Sequence, residues 1–195
     1  SKNTPGLLWA EDFLHAEPQN ITIPPGGKHK VHLTLRNDLP VPGEYRSHIW
    51  ITAEKAHKPA PTSGTNISTA TGVSMPVFIR SGDVTAKISI DRISVHATAD
   101  KEMEARFMLN RVGNQSIYGD IELVCTGGSK DTTLQTLYGI AVYTEISQRH
   151  MRVPIQLPDE SDCPRIQVNF RTAIKQEGQT GAILATAETN MNWQK

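Results

Sequence analysis

The stretch NISTATGVSMPVFIRSGDV, residues 66–84, constrains the fold more than any other part of the chain. Every second residue from Ile67 through Thr69, Thr71, Val73, Met75 and Val77 to Ile79 is β-branched or apolar, and the positions between them are mostly small: Ser68, Ala70, Gly72 and Ser74. Strand side chains alternate between faces, so this pattern describes one long strand with a single face suited to burial. Pro76 lies inside it and has no N–H to give to a ladder. At least one side of the strand is therefore expected to lack a regular neighbour.

The rest of the chain reads in the same register of short strands and turns. Turn signals recur at Pro24-Pro25-Gly26-Gly27, Asn37-Asp38-Leu39-Pro40, Pro59-Ala60-Pro61, Ser81-Gly82-Asp83, Val112-Gly113-Asn114 and Gly127-Gly128-Ser129. Between them, KVHLTLR alternates Val31, Leu33 and Leu35 against His32 and Thr34, and YRSHIWI carries Tyr45, Ile49 and Ile51. KISIDRISV holds Ile88, Ile90, Ile93 and Val95 with a frame shift that predicts a bulge or bend. MEARFMLN, IYGDIELV, YGIAVYT, HMRVPIQL, RIQVNFRTA and GAILATAE follow as strand candidates, the last preferred to a short helix because of Gly181 and its threonines. The fold class is all-β with sandwich-like spacing.

The two halves differ in what they can cover. Six or seven strands in the second half complete a sandwich, whereas residues 1–80 supply only four convincing ones and a sandwich needs about seven. Four strands cannot enclose a core from both faces, and the uncovered inner face would meet water. About three further strands are therefore expected, ahead of Ser1 or from another chain. The boundary between the two units is expected at Ser81-Gly82-Asp83.

Several function classes are excluded or weakened by composition. Twenty basic and twenty acidic side chains cancel, which removes the electrostatic attraction that nucleic-acid binders rely on. No apolar run approaches the roughly eighteen residues of a membrane-spanning helix. The opening SKNTPGLLWAEDF lacks the charged flank and apolar run of a signal peptide. No nucleophile elbow, phosphate loop, HExxH or dinucleotide fingerprint occurs. His29 and His32, three apart on an expected strand, point to opposite faces and make a poor metal pair. Asp83, Asp91, Asp159, Glu160 and Asp162 fall in or near turns without calcium-loop spacing and read as turn caps. In GNQSIYGD, Gly113-Asn114 suits a tight turn with positive φ and Gly119 a bulge or close backbone approach. Cys125 and Cys163 are the only cysteines; one disulfide, two buried small hydrophobes and two reactive thiols are all compatible with their spacing.

Three segments taken together resemble the PapD-like periplasmic chaperones of pilus assembly, in a divergent branch of that family. They are ITIPPGGKHKVHLTLRNDLPVPGEYRSHIWITAE (21–54), GVSMPVFIRSG (72–82), and FMLNRVGNQSIYGDIELV with YGIAVYTEISQRHMRVPIQL (107–157). The resemblance covers most of the chain and rests on the combination and order of these motifs. It implies two immunoglobulin-like β-sandwich domains in an L-shaped arrangement: residues 1–81 as the later part of the first, lacking its early strands, and 82–195 as the second. It also implies export to the periplasm, an oxidising compartment that favours the Cys125–Cys163 disulfide among the three readings.

What the resemblance implies about function is specific. Family members are not enzymes and use no cofactor or metal. They stabilise pilin or fimbrial subunits, which are sandwiches lacking one strand, by lending the long last strand of the first domain until an outer-membrane usher exchanges it. Such strand addition holds the guest through main-chain hydrogen bonds and fills pockets with alternate side chains. Aligned through MPVFIR, the lent positions fall on Ile67, Thr69, Thr71 and Val73. The threonines depart from the bulky aliphatic residues usual in the family. The lysine that helps anchor a subunit carboxylate aligns with Pro76, so that anchor does not transfer. Arg80 corresponds to the arginine that links the two domains through acidic partners and is also a candidate carboxylate contact; Arg46 and Glu44 in GEYRSH are candidates for the same network. The expected partners are fimbrial subunits and an usher, and an exposed edge also offers a route to self-association. A structural or adhesive two-domain surface protein of the same fold, with no client subunit, is the alternative expectation.

Overall fold

The computed structural model describes residues 7–36, 38–53, 71–100, 102–157, 163–173 and 181–191. Every regular element among them is a strand, and the chain divides into two compact units, Leu7–Asp83 and Val84–Lys195. Among the described residues no helix is long and apolar enough to cross a membrane.

Among its described residues the second unit carries seven strands: β6 (Ala86–Ala97), β7 (Met103–Gly113), β8 (Ile117–Thr126), β9 (Thr132–Val142), β10 (Gln148–Ile155), β11 (Arg165–Thr172) and β12 (Ile183–Asn190). They form a three-stranded antiparallel sheet in the order β10-β7-β6 and a four-stranded one in the order β12-β11-β8-β9. The period of two explains why these sheets face one another. Ala105, Phe107 and Leu109 on β7, Met151, Val153 and Ile155 on β10, Ile121 and Leu123 on β8, and Val168 and Phe170 on β11 form one buried cluster. Burial of each large side chain contributes about 1.5–3 kcal/mol, and these contacts carry the unit's stability.

Two of the breaks in the ladders fall where the sequence asks for them. The expected irregularity in KISIDRISV is a register shift between Asp91 and Ser94, with Arg92 at φ 53° in the left-handed region. Gly113 has φ 121°. Gly119 sits at a register shift of β8, and a Cβ there would lie 2.2 Å from the Arg171 carbonyl oxygen, so only glycine permits the approach of the two strands. Between these glycines runs a polar clamp. Arg111, buried, donates from Nε to the Tyr143 and Ile146 carbonyls, from Nη1 to Gly113 and Gln115, and from Nη2 to Thr144, at 2.7–3.3 Å. One planar guanidinium thereby fastens the β7–β8 turn to the β9–β10 turn. The GNQSIYGD segment is occupied by this architecture.

Of the three readings of the cysteines, the structure shows the disulfide. Cys125, near the end of β8, is bonded to Cys163, two residues before β11, with both side chains fully buried beside Ile166.

The first unit is built differently. Its strands are β1 (Leu8–Trp9), β2 (Leu14–Glu17), β3 (His32–Leu35), β4 (Gly43–Ala53) and β5 (Thr71–Ser81), in a sheet ordered β1-β4-β5 and a separate antiparallel pair β2-β3. Among its described residues only Ala10 and Tyr45 are buried hydrophobics, whereas Val31, Leu33, Leu35, Trp50, Ile51, Val73 and Met75 are exposed. The contrast between the units gives two expected outcomes in urea unfolding. Leu123→Ala lowers the stability of the second unit by about 2–5 kcal/mol, whereas Leu33→Ala changes the first by under about 0.5 kcal/mol. Replacing both cysteines by alanine destabilises the second unit by about 4 kcal/mol, the chain entropy released by opening a 38-residue loop; an unchanged midpoint would contradict it.

Candidate functional site

The candidate site is the outer edge of β5. Its inner edge pairs with β4 in one continuous antiparallel register, from Gly43 opposite Ser81 to Ala53 opposite Thr71, with no shift at Pro76 opposite His48. β5 ends the sheet order, and no strand among the described residues pairs with its other side. On the far side of β4, β1 covers only Tyr45 and Arg46. Beyond those residues β4 and β5 run on, among the described residues, as a two-stranded ribbon, an arrangement that is marginal in water when left alone.

Cross-strand partners share a face, so Tyr45, Ser47, Ile49 and Ile51 lie on one side of the ribbon with Ile79, Val77, Met75 and Val73. Burial falls steadily along this face. Tyr45 is 2% exposed, Ile79 and Val77 are half-buried, Met75 is 45% exposed and Val73 58%. The buried end is locked by Tyr45, whose hydroxyl donates to the Val41 carbonyl at 2.9 Å and accepts from the Val41 N–H at 3.1 Å, while its ring meets Phe13 edge-on at 5.6 Å. The open end presents exposed aliphatic side chains.

The predicted site residues separate into groups. Thr71 and Val73 are exposed on the outermost part of β5. Ile67 and Thr69 lie outside the described residues. Arg80 and Glu44 face each other across the β4–β5 ladder, and Arg80 donates from Nε and Nη2 to Glu44 Oε2 at 3.2 and 3.1 Å. Glu44 is completely buried and the Arg80 side chain is 46% exposed. An acidic partner of Arg80 therefore lies within its own unit, on the neighbouring strand. Arg46 occupies the same face, opposite Phe78 on one side and beside Trp9 on the other.

A second polar cluster lies on the β2–β3 pair. His15, Glu17 and His32 line a shallow open cleft; His15 Nε2 contacts Glu17 Oε1 at 2.6 Å, and Arg36 Nη2 contacts the other ring nitrogen. The hydrogen bond from His15, then its charge, lowers the Glu17 pKa from its ordinary value. Glu17 is exposed and the Arg36 guanidinium occupies the space beside His15, an arrangement ill suited to a cation. Among the described residues no group of three acidic, histidine or cysteine side chains could hold a metal.

No protein-family model, curated protein or solved structure matches the chain.

The Glu44–Arg80 pair generates a direct test. Breaking a fully buried ion pair costs about 3–5 kcal/mol because one charge is left uncompensated; water reaches Arg80, so the expected loss for Arg80→Ala is smaller, about 1–3 kcal/mol. In a Glu44→Gln background the same change loses most of its effect. A double-mutant cycle by chemical denaturation reads the coupling directly, and a coupling near zero would remove the pair from the account of β5.

Proposed function

We propose that the chain is a non-enzymatic chaperone that stabilises an incomplete β-sandwich subunit, of the pilin or fimbrial class, by lending it the edge of β5. The observation that carries this reading is the joint state of that strand: one edge hydrogen-bonded to β4, the other with no paired strand among the described residues, and an apolar face that becomes progressively exposed toward Val73 and Thr71. Strand addition uses these two properties, free main-chain groups for affinity and alternate side chains for pockets. Val73 and Met75, joined by Ile51 across the ladder, are the aliphatic anchors in the described part of the strand. Each contributes about 1 kcal/mol or more when a partner covers it. Thr71 continues the alternation with less apolar area, and Ile67 and Thr69 extend it in sequence.

The strand orders of the second unit support the accompanying domain reading. A β10-β7-β6 sheet packed on a β12-β11-β8-β9 sheet is compatible with an immunoglobulin-like division of seven strands into three and four. In the first unit, the Tyr45 hydroxyl bonding back to Val41 near the start of β4 resembles the tyrosine corner associated with the penultimate strand of such sandwiches. That assignment makes β5 the last strand of its domain, the one lent in the family the sequence resembles. The disulfide fits an exported protein, with the periplasm as the proposed compartment, and an outer-membrane usher is the proposed acceptor of the chaperone–subunit complex.

The test is co-expression with a small secreted subunit encoded beside this chain, scored by the subunit's steady-state level and co-purification. Val73→Glu and Ile51→Glu each lower the level by roughly tenfold or more, because each places a charge where an apolar pocket closes. The second unit keeps its unfolding midpoint in both variants. Unchanged subunit levels with both variants would eliminate strand lending in favour of a structural or adhesive role.

A further inference from the structure

The outward face of the β10-β7-β6 sheet carries arginines that the packing of the second unit does not use. On β7, Ala105, Phe107 and Leu109 belong to the buried cluster, so Glu104, Arg106 and Met108 point away from it. On β10 the same alternation buries Met151 and Val153 and turns His150 and Arg152 outward. Register then sets Arg152 directly opposite Arg106, and Arg106 directly opposite Ser94 of β6. Beside this row lies Arg92, exposed at the bulge between Asp91 and Ser94 with φ 53°. Three neighbouring strands thus bring three arginines to one stretch of exposed sheet.

Two features of this stretch work against the fold alone. Cross-strand partners on one face stand about 5 Å apart at Cβ, and like charges directly opposite each other are destabilising. Arg92 holds a bulky residue in the left-handed region, and strain of that kind collects at binding sites. Local acids relieve little of this. Glu104 accepts from Arg106 Nε at 2.6 Å, which orients the guanidinium and leaves its Nη1 and Nη2 without a partner among the described residues, on a side chain that is 44% exposed. The side chains of Arg152, Arg92 and Asp91 make no hydrogen bond or ion pair among the described residues. Met108, outward between His150 and Asp91, is buried, so the charged groups border an apolar floor.

The charge count decides the kind of partner. Three arginines against Asp91 and Glu104 leave a local excess of one positive charge, and the whole chain sums to zero. Nucleic acid and anionic membranes are held by many cations together, which an excess of one does not supply. A lone small anion gains little on an exposed face, where single ion pairs are weak. Carboxylates carried on one polypeptide engage two guanidinium forks at once. We infer that this face of the second unit docks an acidic polypeptide segment, whose carboxylates are taken by Arg152 and by the Nη groups of Arg106, with Arg92 at the rim. The face is separate from strand lending, which concerns β5 of the first unit.

The experiment is an NMR titration of the full chain with a synthetic peptide of alternating glutamate and serine, read at backbone amides and arginine Nε–H signals. Binding is expected at about 1 mM or tighter, with shifts centred on Arg106, Arg152 and Arg92. Arg152→Gln and Arg106→Gln each weaken it by roughly tenfold or more. Lys130→Gln, which removes the same charge from the exposed β8–β9 turn, leaves it unchanged. A glutamine–serine peptide does not bind, and inorganic phosphate at equal concentration does not displace the glutamate peptide. The thermal midpoint of Arg152→Gln stays at or above that of the unaltered chain, because a like-charge contact is removed. The docking surface is overturned by an absence of shifts on this face, by affinity that survives both arginine variants or falls equally with Lys130→Gln, by binding of the glutamine–serine peptide, or by displacement with phosphate. A midpoint lowered by Arg152→Gln overturns it as well, since that arginine would then serve the fold.

Discussion

A sheet has two faces and two edges, and each has to be covered, charged or left to a partner. The second unit settles its faces by setting two sheets against each other, with Phe107, Leu123, Val153 and Phe170 meeting between them. The first unit leaves the same problem open along the β4–β5 ribbon, where the apolar face emerges from the buried Tyr45 end into solvent at Val73 and Ile51. The exposed surface is patterned and contiguous, on a strand that ends its sheet among the described residues. Those features distinguish it from the scattered exposed apolar residues of any protein surface.

The polar interior of the molecule works toward the same rigidity. Arg111 spends its guanidinium on backbone carbonyls of two turns, a use that requires the planar fork of arginine. Glu44 is held in the first unit by Arg80 from the adjacent strand. In the first unit this pair and the Tyr45–Val41 bonds fix the protected end of the ribbon, so the exposed end projects from a defined base.

Features governed by one residue's own backbone were legible in the sequence. Gly113 and Gly119 announced a turn and a close approach, the frame shift in KISIDRISV announced the bulge at Asp91, and the alternation around Val73 announced a long strand, which ends its sheet among the described residues. Features that depend on register between distant segments were not. Which acid meets Arg80 follows from Glu44 lying opposite it, thirty-six positions away, and no local pattern encodes that. The clamp by Arg111 was likewise missed, although an arginine two residues before a turn glycine was its visible signal. The cysteines carried their spacing but not their bond, because pairing is decided by the approach of β8 to the residues preceding β11.

That bond has a topological consequence. Cys125 and Cys163 close the intervening chain, including β9 and β10, into a covalent ring. A protease that cuts once anywhere inside the ring severs a peptide bond without releasing a fragment. In denaturant the nicked protein migrates as one molecule until a reductant is added, and then separates into two. The segment between the cysteines therefore tolerates cleavage without loss of connectivity, a protection that the ribbon of the first unit does not share.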